Sequence, residues 1–427
     1  MILGLYRAAM RMGAPLLRVY LRRRLARGKE DPARFAERLG IAGRPRPEGR
    51  LVWVHGASVG EAVSALPLVA RILNAPGGGQ VLMTTGTVTS AKVMAERLPE
   101  GAFHQYLPVD HPDYVHRFVD HWRPDLAIWV ESEFWPNLLG ETARRAIPQV
   151  LINGRVSARS YRRWNVFLAR RGIGRLLGAF SLCLGQSVGD AERLAALGAQ
   201  DSRCVGNLKY AAPPLPVSAA DYDDLAARLA GRPLWLGAST HPGEEAALAR
   251  IHAVLKDRHP KLLTVIAPRH PERGDQIARD LRAMGLRVAR RSQGDAVTAA
   301  CDIYLADTIG ELGLFYRLAP IAFIGKSLMA RGGQNPIEAA RFGCAIVFGP
   351  AMENFADIAA DLLARGAARR IRDAADLERA LDVLFADVRA RCAMGDAAQT
   401  IAKEHEQVLD RVFEALTPFL EVKGSGS

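Results

Sequence analysis

The stretch Leu51-Val52-Trp53-Val54-His55-Gly56-Ala57-Ser58-Val59-Gly60-Glu61 decides the fold. A short apolar run ending at His55 meets a glycine-containing turn, and a helical pattern follows from Ala62 to Leu73. A run without polar alternation predicts a strand covered on both faces, which is the habit of parallel sheets. The same unit recurs at Val81–Gly86, Leu126–Val130 and Gln149–Asn153. After Ala211-Ala212-Pro213-Pro214-Leu215-Pro216, which reads as a linker, it restarts at Leu234–Ser239, Leu262–Pro268, Ile303–Asp307, Ile321–Gly325 and Ala345–Gly349. Strands alternating with helices predict an α/β protein with two tandem Rossmann-like, doubly wound domains facing a cleft. The boundaries are read as an N-terminal segment over 1–40, a first domain over 41–210 and a second over 217–420. In such folds ligands bind beyond the C-terminal ends of the strands.

The chain has 427 residues and a formal net charge of +12. Residues 1–50 carry 13 Arg and Lys against 4 Asp and Glu, so nine of the twelve excess charges sit there. The rest is nearly neutral, which argues against nucleic acid as a partner, since a nucleic-acid binder spreads charge over its folded face. Arg7, Arg11 and Arg18 interrupt the apolar start and share one helical face, opposite Ile2, Leu5, Leu16, Leu17 and Tyr20. This pattern is too broken for a spanning helix or a signal peptide. It predicts either an amphipathic helix in the interface of an anionic membrane or an ordinary surface helix. The five cysteines are scattered and never in CxxC spacing, so neither a disulfide framework nor a zinc ribbon is expected. No metal-ligand cluster, P-loop or GxGxxG motif is present.

Five clusters at strand ends carry polar chemistry. Glu61 follows the first strand, either as a first-turn cap or as a general base. Glu131 and Glu133, in Glu131-Ser132-Glu133-Phe134-Trp135-Pro136-Asn137, are two carboxylates beside an apolar strand end, where both cannot be buried and ionised cheaply. Trp135 in the same motif reads as core. Pro268-Arg269-His270-Pro271-Glu272-Arg273 places a cation after a strand, for a phosphate or for a salt bridge. Asp307-Thr308-Ile309-Gly310-Glu311-Leu312 ends another strand. In Gly332-Gly333-Gln334-Asn335-Pro336-Ile337-Glu338 a diglycine turn opens a helix, with Asn335 near the N-cap. Glu338 is placed either to hydrogen-bond a ribose diol or to complete a capping box. Cations and a helical Glu in one domain and an exposed carboxylate in the other point to a glycosyltransferase with a nucleotide-linked donor.

These motifs, with Arg34–Gly40, Asn153-Gly154-Arg155-Val156-Ser157, Gly206-Asn207-Leu208-Lys209 and Ala238-Ser239-Thr240-His241-Pro242-Gly243-Glu244-Glu245, resemble the 3-deoxy-D-manno-octulosonic acid (Kdo) transferases of Gram-negative bacteria. The resemblance implies a GT-B fold and an inverting transfer of Kdo from CMP-Kdo to a lipid A precursor in lipopolysaccharide synthesis. The work would be done at the cytoplasmic face of the inner membrane, with peripheral or N-terminal attachment. By the family pattern Glu61 would be the general base, and Glu131 and Lys209 would stabilise the transition state. Pro268, Arg269, Ile309, Gly310, Glu311, Asn335, Pro336, Ile337 and Glu338 would hold CMP. No cofactor or metal is implied beyond the donor. The family has His where Gln334 stands, and Gln cannot be protonated. On the residues alone, a UDP-GlcNAc 2-epimerase or another GT-B transferase would share the helical Glu, and CMP binding without UDP binding separates them; a non-catalytic lipid- or nucleotide-binding scaffold is argued against by the intact Glu61, Glu131 and Lys209.

Overall fold

A computed structural model describes residues 2–210, 215–229 and 231–421. Most of the proline-rich linker at 211–216, and the closing Gly424-Ser425-Gly426-Ser427, lie outside the described residues. The chain divides into two compact units, residues 1–212 with 405–427, and residues 213–404.

The first unit contains seven strands: β1 (Leu51–His55), β2 (Gln80–Thr85), β3 (Ala102–Tyr106), β4 (Leu126–Val130), β5 (Gln149–Gly154), β6 (Leu182–Gly185) and β7 (Ser202–Cys204). All neighbours are parallel, in the order β3-β2-β1-β4-β5-β6-β7. The order reverses between β1 and β4, and this is the switch point of the sheet. Alternate residues of β1 go to opposite cores. Val52 and Val54 meet Ala62, Ala65, Leu68 and Ile72 of the helix Val59–Leu73. Leu51 and Trp53 meet Phe118, Val119 and Trp122 on the other side. Burial on both faces is why the strand reads as an unbroken apolar run.

The second unit repeats the plan with β8 (Leu234–Thr240), β9 (Leu263–Pro268), β10 (Val288–Arg290), β11 (Ile303–Leu305), β12 (Ile321–Ile324), β13 (Ala345–Phe348) and β14 (Ala368–Arg370). The order is β10-β11-β9-β8-β12-β13-β14, again all parallel, with its switch point between β8 and β12.

Two boundaries differ from the sequence reading. The helix Val388–Leu420 does not belong wholly to the second unit, because residues from His405 onward join the first. Val408, Val412, Leu416 and Leu420, spaced at i, i+4, i+8 and i+12, lie in the same core as β1 and β4. Gly206 (φ 98°) lets the chain pass this helix, since a Cβ there would sit 2.6 Å from Val408 Cγ2.

The N-terminal segment is also not uniform. Its first part forms the helices Ile2–Met12 and Ala14–Ala26. Residues 30–39 are instead bolted to the edge strand β3. Glu37 is buried, accepts the Tyr106 N–H at 2.7 Å and pairs with Arg34, which also donates to the His104 carbonyl at 2.8 Å. Buried Glu30 pairs with Arg24 at 2.6 Å and Arg38 at 3.2 Å. A buried carboxylate needs such partners, and these arginines are therefore spent inside the unit. No helix among the described residues is long and apolar enough to cross a membrane.

Candidate active site

In the first unit the switch point brings two sequence motifs together. Ser58 caps the helix Val59–Leu73, accepting the Glu61 N–H at 3.3 Å. The Glu61 carboxylate accepts the Ala57 N–H at 2.8 Å and the Ser58 hydroxyl at 2.7 Å. Glu61 therefore does serve as a capping residue, and it remains partly exposed at the strand end.

Glu131 follows β4, the strand beside β1. Its backbone lies in the left-handed region (φ 60°), as does that of Asn153 (φ 53°) at the end of the next strand, β5. A residue with a Cβ adopts this conformation only when its surroundings impose it, and such strain gathers at functional sites. Here the imposing contacts are visible. The Glu131 N–H donates to the Ile152 carbonyl at 2.9 Å, and buried Asn153 accepts the Leu208 N–H at 3.0 Å. That second bond places Lys209, whose ammonium pairs with Glu131. Asn207 Oδ1 accepts the Lys209 N–H at 3.0 Å and braces the same turn.

Glu133 joins the cluster. Burial raises its pKa, and the charges of Glu61 and Glu131 push it the same way. Three carboxylates are thus close enough to feel one another, with Lys209 as their cation. Trp135 departs from the sequence reading: it is 39% exposed, not core, and its indole N–H donates to Glu133 at 2.7 Å. The reason is local. β4 ends at Val130 and Pro136 opens the next helix, so residues 131–135 form a projecting loop. Pro136 and Asn137 of that motif are structural, since buried Asp110 accepts the Asn137 and Leu138 N–H groups at 3.0 and 2.8 Å.

In the second unit Pro268, Arg269, Ile309 and Gly310 line one cavity of about 420 Å³, together with Ser239 and Thr308. Gly310 sits at φ 88°, where a side chain would be strained. Glu311 does not line this cavity. Its carboxylate is held by Arg291 at 2.5 Å and by the Thr308 hydroxyl at 2.5 Å, and these partners keep its pKa low. The role of Glu311 at the cavity is to fix the turn that carries Ile309 and Gly310.

Asn335 caps the helix Pro336–Arg341, accepting the Ile337 N–H at 3.1 Å. Pro336 and Ile337 are buried and serve packing. Glu338 is mostly buried, which raises its pKa, while the charge of Arg269 opposes that rise. This coupling ties the Asn335–Glu338 segment to the arginine of the cavity. Gln334 Nε2 lies 3.2 Å from His241 Nε2, on the turn after β8.

Two features escaped the sequence reading. One is the pair of left-handed residues at the second switch point, Ser239 (φ 52°) and Lys326 (φ 58°). The other is Glu244, which is fully buried and accepts the N–H groups of His241 (2.9 Å), Lys326 (2.8 Å), Ser327 (3.2 Å) and Leu328 (3.1 Å). One carboxylate thereby ties the turn after β8 to the turn after β12. A carboxylate flanked by Gly243 and a second Glu gives no local sign of such long-range partners.

The family model for 3-deoxy-D-manno-octulosonic-acid transferase (kdotransferase) matches residues 33–212. A probable mitochondrial 3-deoxy-D-manno-octulosonic acid transferase of Arabidopsis thaliana is 34% identical over 422 residues, covering 97% of this chain and 92% of that protein. The 3-deoxy-D-manno-octulosonic acid transferase of Rickettsia felis is 36% identical over 373 residues, covering 87% of this chain and 79% of that protein. Among solved structures, a UDP-GlcNAc 2-epimerase of Neisseria meningitidis superposes with a TM-score of 0.57 at 12% identity, covering 86% of this chain and 100% of that one, a likeness of GT-B fold alone. With identity of this extent over most of both chains, the chain belongs to the 3-deoxy-D-manno-octulosonic acid transferase family of glycosyltransferases.

Proposed function

We propose that the protein transfers Kdo from CMP-Kdo to a lipid A precursor, with inversion at the anomeric carbon. The observation that carries this reading is the sorting of charge between the two switch points. Carboxylates with one lysine stand at the first, and an arginine-lined cavity beside a helical glutamate stands at the second.

In this mechanism Glu61 accepts the proton of an acceptor hydroxyl, whose oxygen then forms the bond to the anomeric carbon. The bond from that carbon to the CMP phosphate oxygen breaks, and CMP leaves with the electron pair. Kdo carries its own carboxylate, so negative charge gathers at the reacting centre, and Lys209, held by Glu131, opposes it. Pro268, Arg269 and the Ile309–Glu311 turn hold the nucleotide, with Asn335–Glu338 on the ribose side. Arg269→Ala is expected to raise the donor KM about tenfold to a hundredfold, the loss of one charge-assisted hydrogen bond. Initial rates over a range of CMP-Kdo concentrations check it, and an unchanged KM removes Arg269 from the donor site.

The acceptor is a lipid, and the N-terminal helices fit a membrane surface. Tyr6 donates to Asp110 at 3.0 Å, and Arg11 pairs with Asp113 at 3.7 Å, which docks the first helix on the unit. Leu5, Met12, Leu16, Val19 and Tyr20 nevertheless remain exposed, beside Arg22, Arg23 and Arg27. Apolar side chains flanked by cations are the composition that lies in an anionic interface. Replacing Leu5 and Leu16 by Glu is expected to abolish co-flotation with anionic vesicles while leaving CMP binding intact. Retained flotation would place the attachment elsewhere. The central test is product mass: incubation with CMP-Kdo and a lipid A precursor should add one or more Kdo units, and no added mass overturns the reading.

A further inference from the structure

The turn after β12 reads Gly325-Lys326-Ser327, and the mechanism above leaves its lysine unused. Lys326 holds φ 58°, a conformation that glycine adopts freely and lysine does not. The surroundings enforce it. The Lys326 N–H donates to Glu244 at 2.8 Å, and its carbonyl accepts the Gly333 N–H at 2.9 Å. The next two N–H groups bind the other oxygen of Glu244. Three successive backbone donors of this turn are therefore filled by a carboxylate of the protein itself, and only the lysine side chain is left to act outward.

No ion pair engages that ammonium among the described residues. The turn that carries it packs against the wall of the donor cavity, and its charge is felt by His241. A Cβ on Gly325 would lie 2.4 Å from the carbonyl oxygen of Ser239, and Ser239 lines the cavity with Arg269. The other groups there leave positive charge in short supply. Arg269 shares its field with Glu338. Gln334 is uncharged, and burial lowers the pKa of His241 beside it, the charges of Lys326 and His270 adding to that effect against those of Glu244 and Glu245. His270 faces Glu272 at 3.3 Å.

We propose that Lys326 binds the phosphate of the nucleotide in the second unit, supplying the positive charge that Gln334 cannot. This rests on the CMP-Kdo reading of the donor cavity. Beside Arg269, which lines the cavity, a lysine whose ammonium has no ion-pair partner among the described residues can meet a phosphate there.

Two variants test it by calorimetry with CMP and with cytidine, which lacks the phosphate. Lys326→Gly relieves the strain, so the thermal midpoint should hold or rise. Lys326→Met keeps the strain and most of the stem and removes only the charge. Both should weaken CMP binding about tenfold to a hundredfold, the range for one charge-assisted hydrogen bond, and leave cytidine binding as it was. Unchanged CMP affinity in both variants overturns the proposal. Equal losses for CMP and cytidine overturn it as well, since the lysine would then shape the cavity and not meet the phosphate. If the unmodified protein binds no CMP, the donor reading itself fails, and this proposal falls with it.

Discussion

Glu61→Gln is expected to lower kcat for Kdo transfer by about 10²–10⁴-fold, the usual contribution of a positioned general base. CMP binding should not change, because the residues proposed to hold the donor lie in the other unit. Glutamine is the informative replacement. Glu61 also caps its helix through Ala57 and Ser58, so alanine would remove a cap worth about 1 kcal/mol along with the base. Glutamine keeps an acceptor for the Ala57 N–H and cannot take a proton from the substrate. The thermal midpoint should therefore stay put while turnover collapses. Turnover at the unmodified rate would falsify the assignment of Glu61 as base and leave it a cap.

The second large effect is expected at Lys209. Lys209→Ala should cost about 10²–10³-fold in kcat, the range for deleting one preorganised donor to a developing anion. Its pH signature separates this from simple misfolding. Glu61, Glu131 and Glu133 stand together: burial raises the pKa of Glu133, and the charges of the other two add to that rise. Withdrawing the cation paired with Glu131 leaves the neighbouring carboxylates less compensated. The acidic limb of kcat/KM should accordingly move to higher pH in the variant, and Lys209→Arg should move it back. A profile that falls in amplitude without moving would mean that Lys209 does not sit in the field of the base.

Much of this was legible in the residues. β1, β4, β12 and β13 are short apolar runs buried on both faces, and their limits in the structure match the runs to within a residue. β6, a four-residue run at Leu182–Gly185, went unread although it is buried and internal to its sheet. β3, β7, β10 and β14 were not legible. They flank the sheets or are three residues long, and Ala102-Phe103-His104-Gln105-Tyr106 or Ser202-Arg203-Cys204 carries too much polarity to stand out. Trp135 was misplaced because a tryptophan beside phenylalanine reads as core, whereas the end of β4 and the start at Pro136 leave no layer to cover it. The last helix was counted with the second domain, and an amphipathic stripe does not say which sheet it will cover.

The residues by themselves determined the class of fold and put Glu61, Glu131, Arg269 and Asn335 at element ends, because strand and helix limits follow from local polarity and turn chemistry. Only the tertiary structure decided which ends are neighbours. β1 and β4 lie side by side, as do β8 and β12, although 70 residues separate the end of β1 from the start of β4. That adjacency depends on how the crossovers wind the strands into an order, and strand order leaves no mark on the local pattern of any one strand. The same holds for the left-handed turns at Glu131, Asn153, Ser239 and Lys326, which are imposed by partners distant in sequence such as Ile152, Leu208 and Glu244.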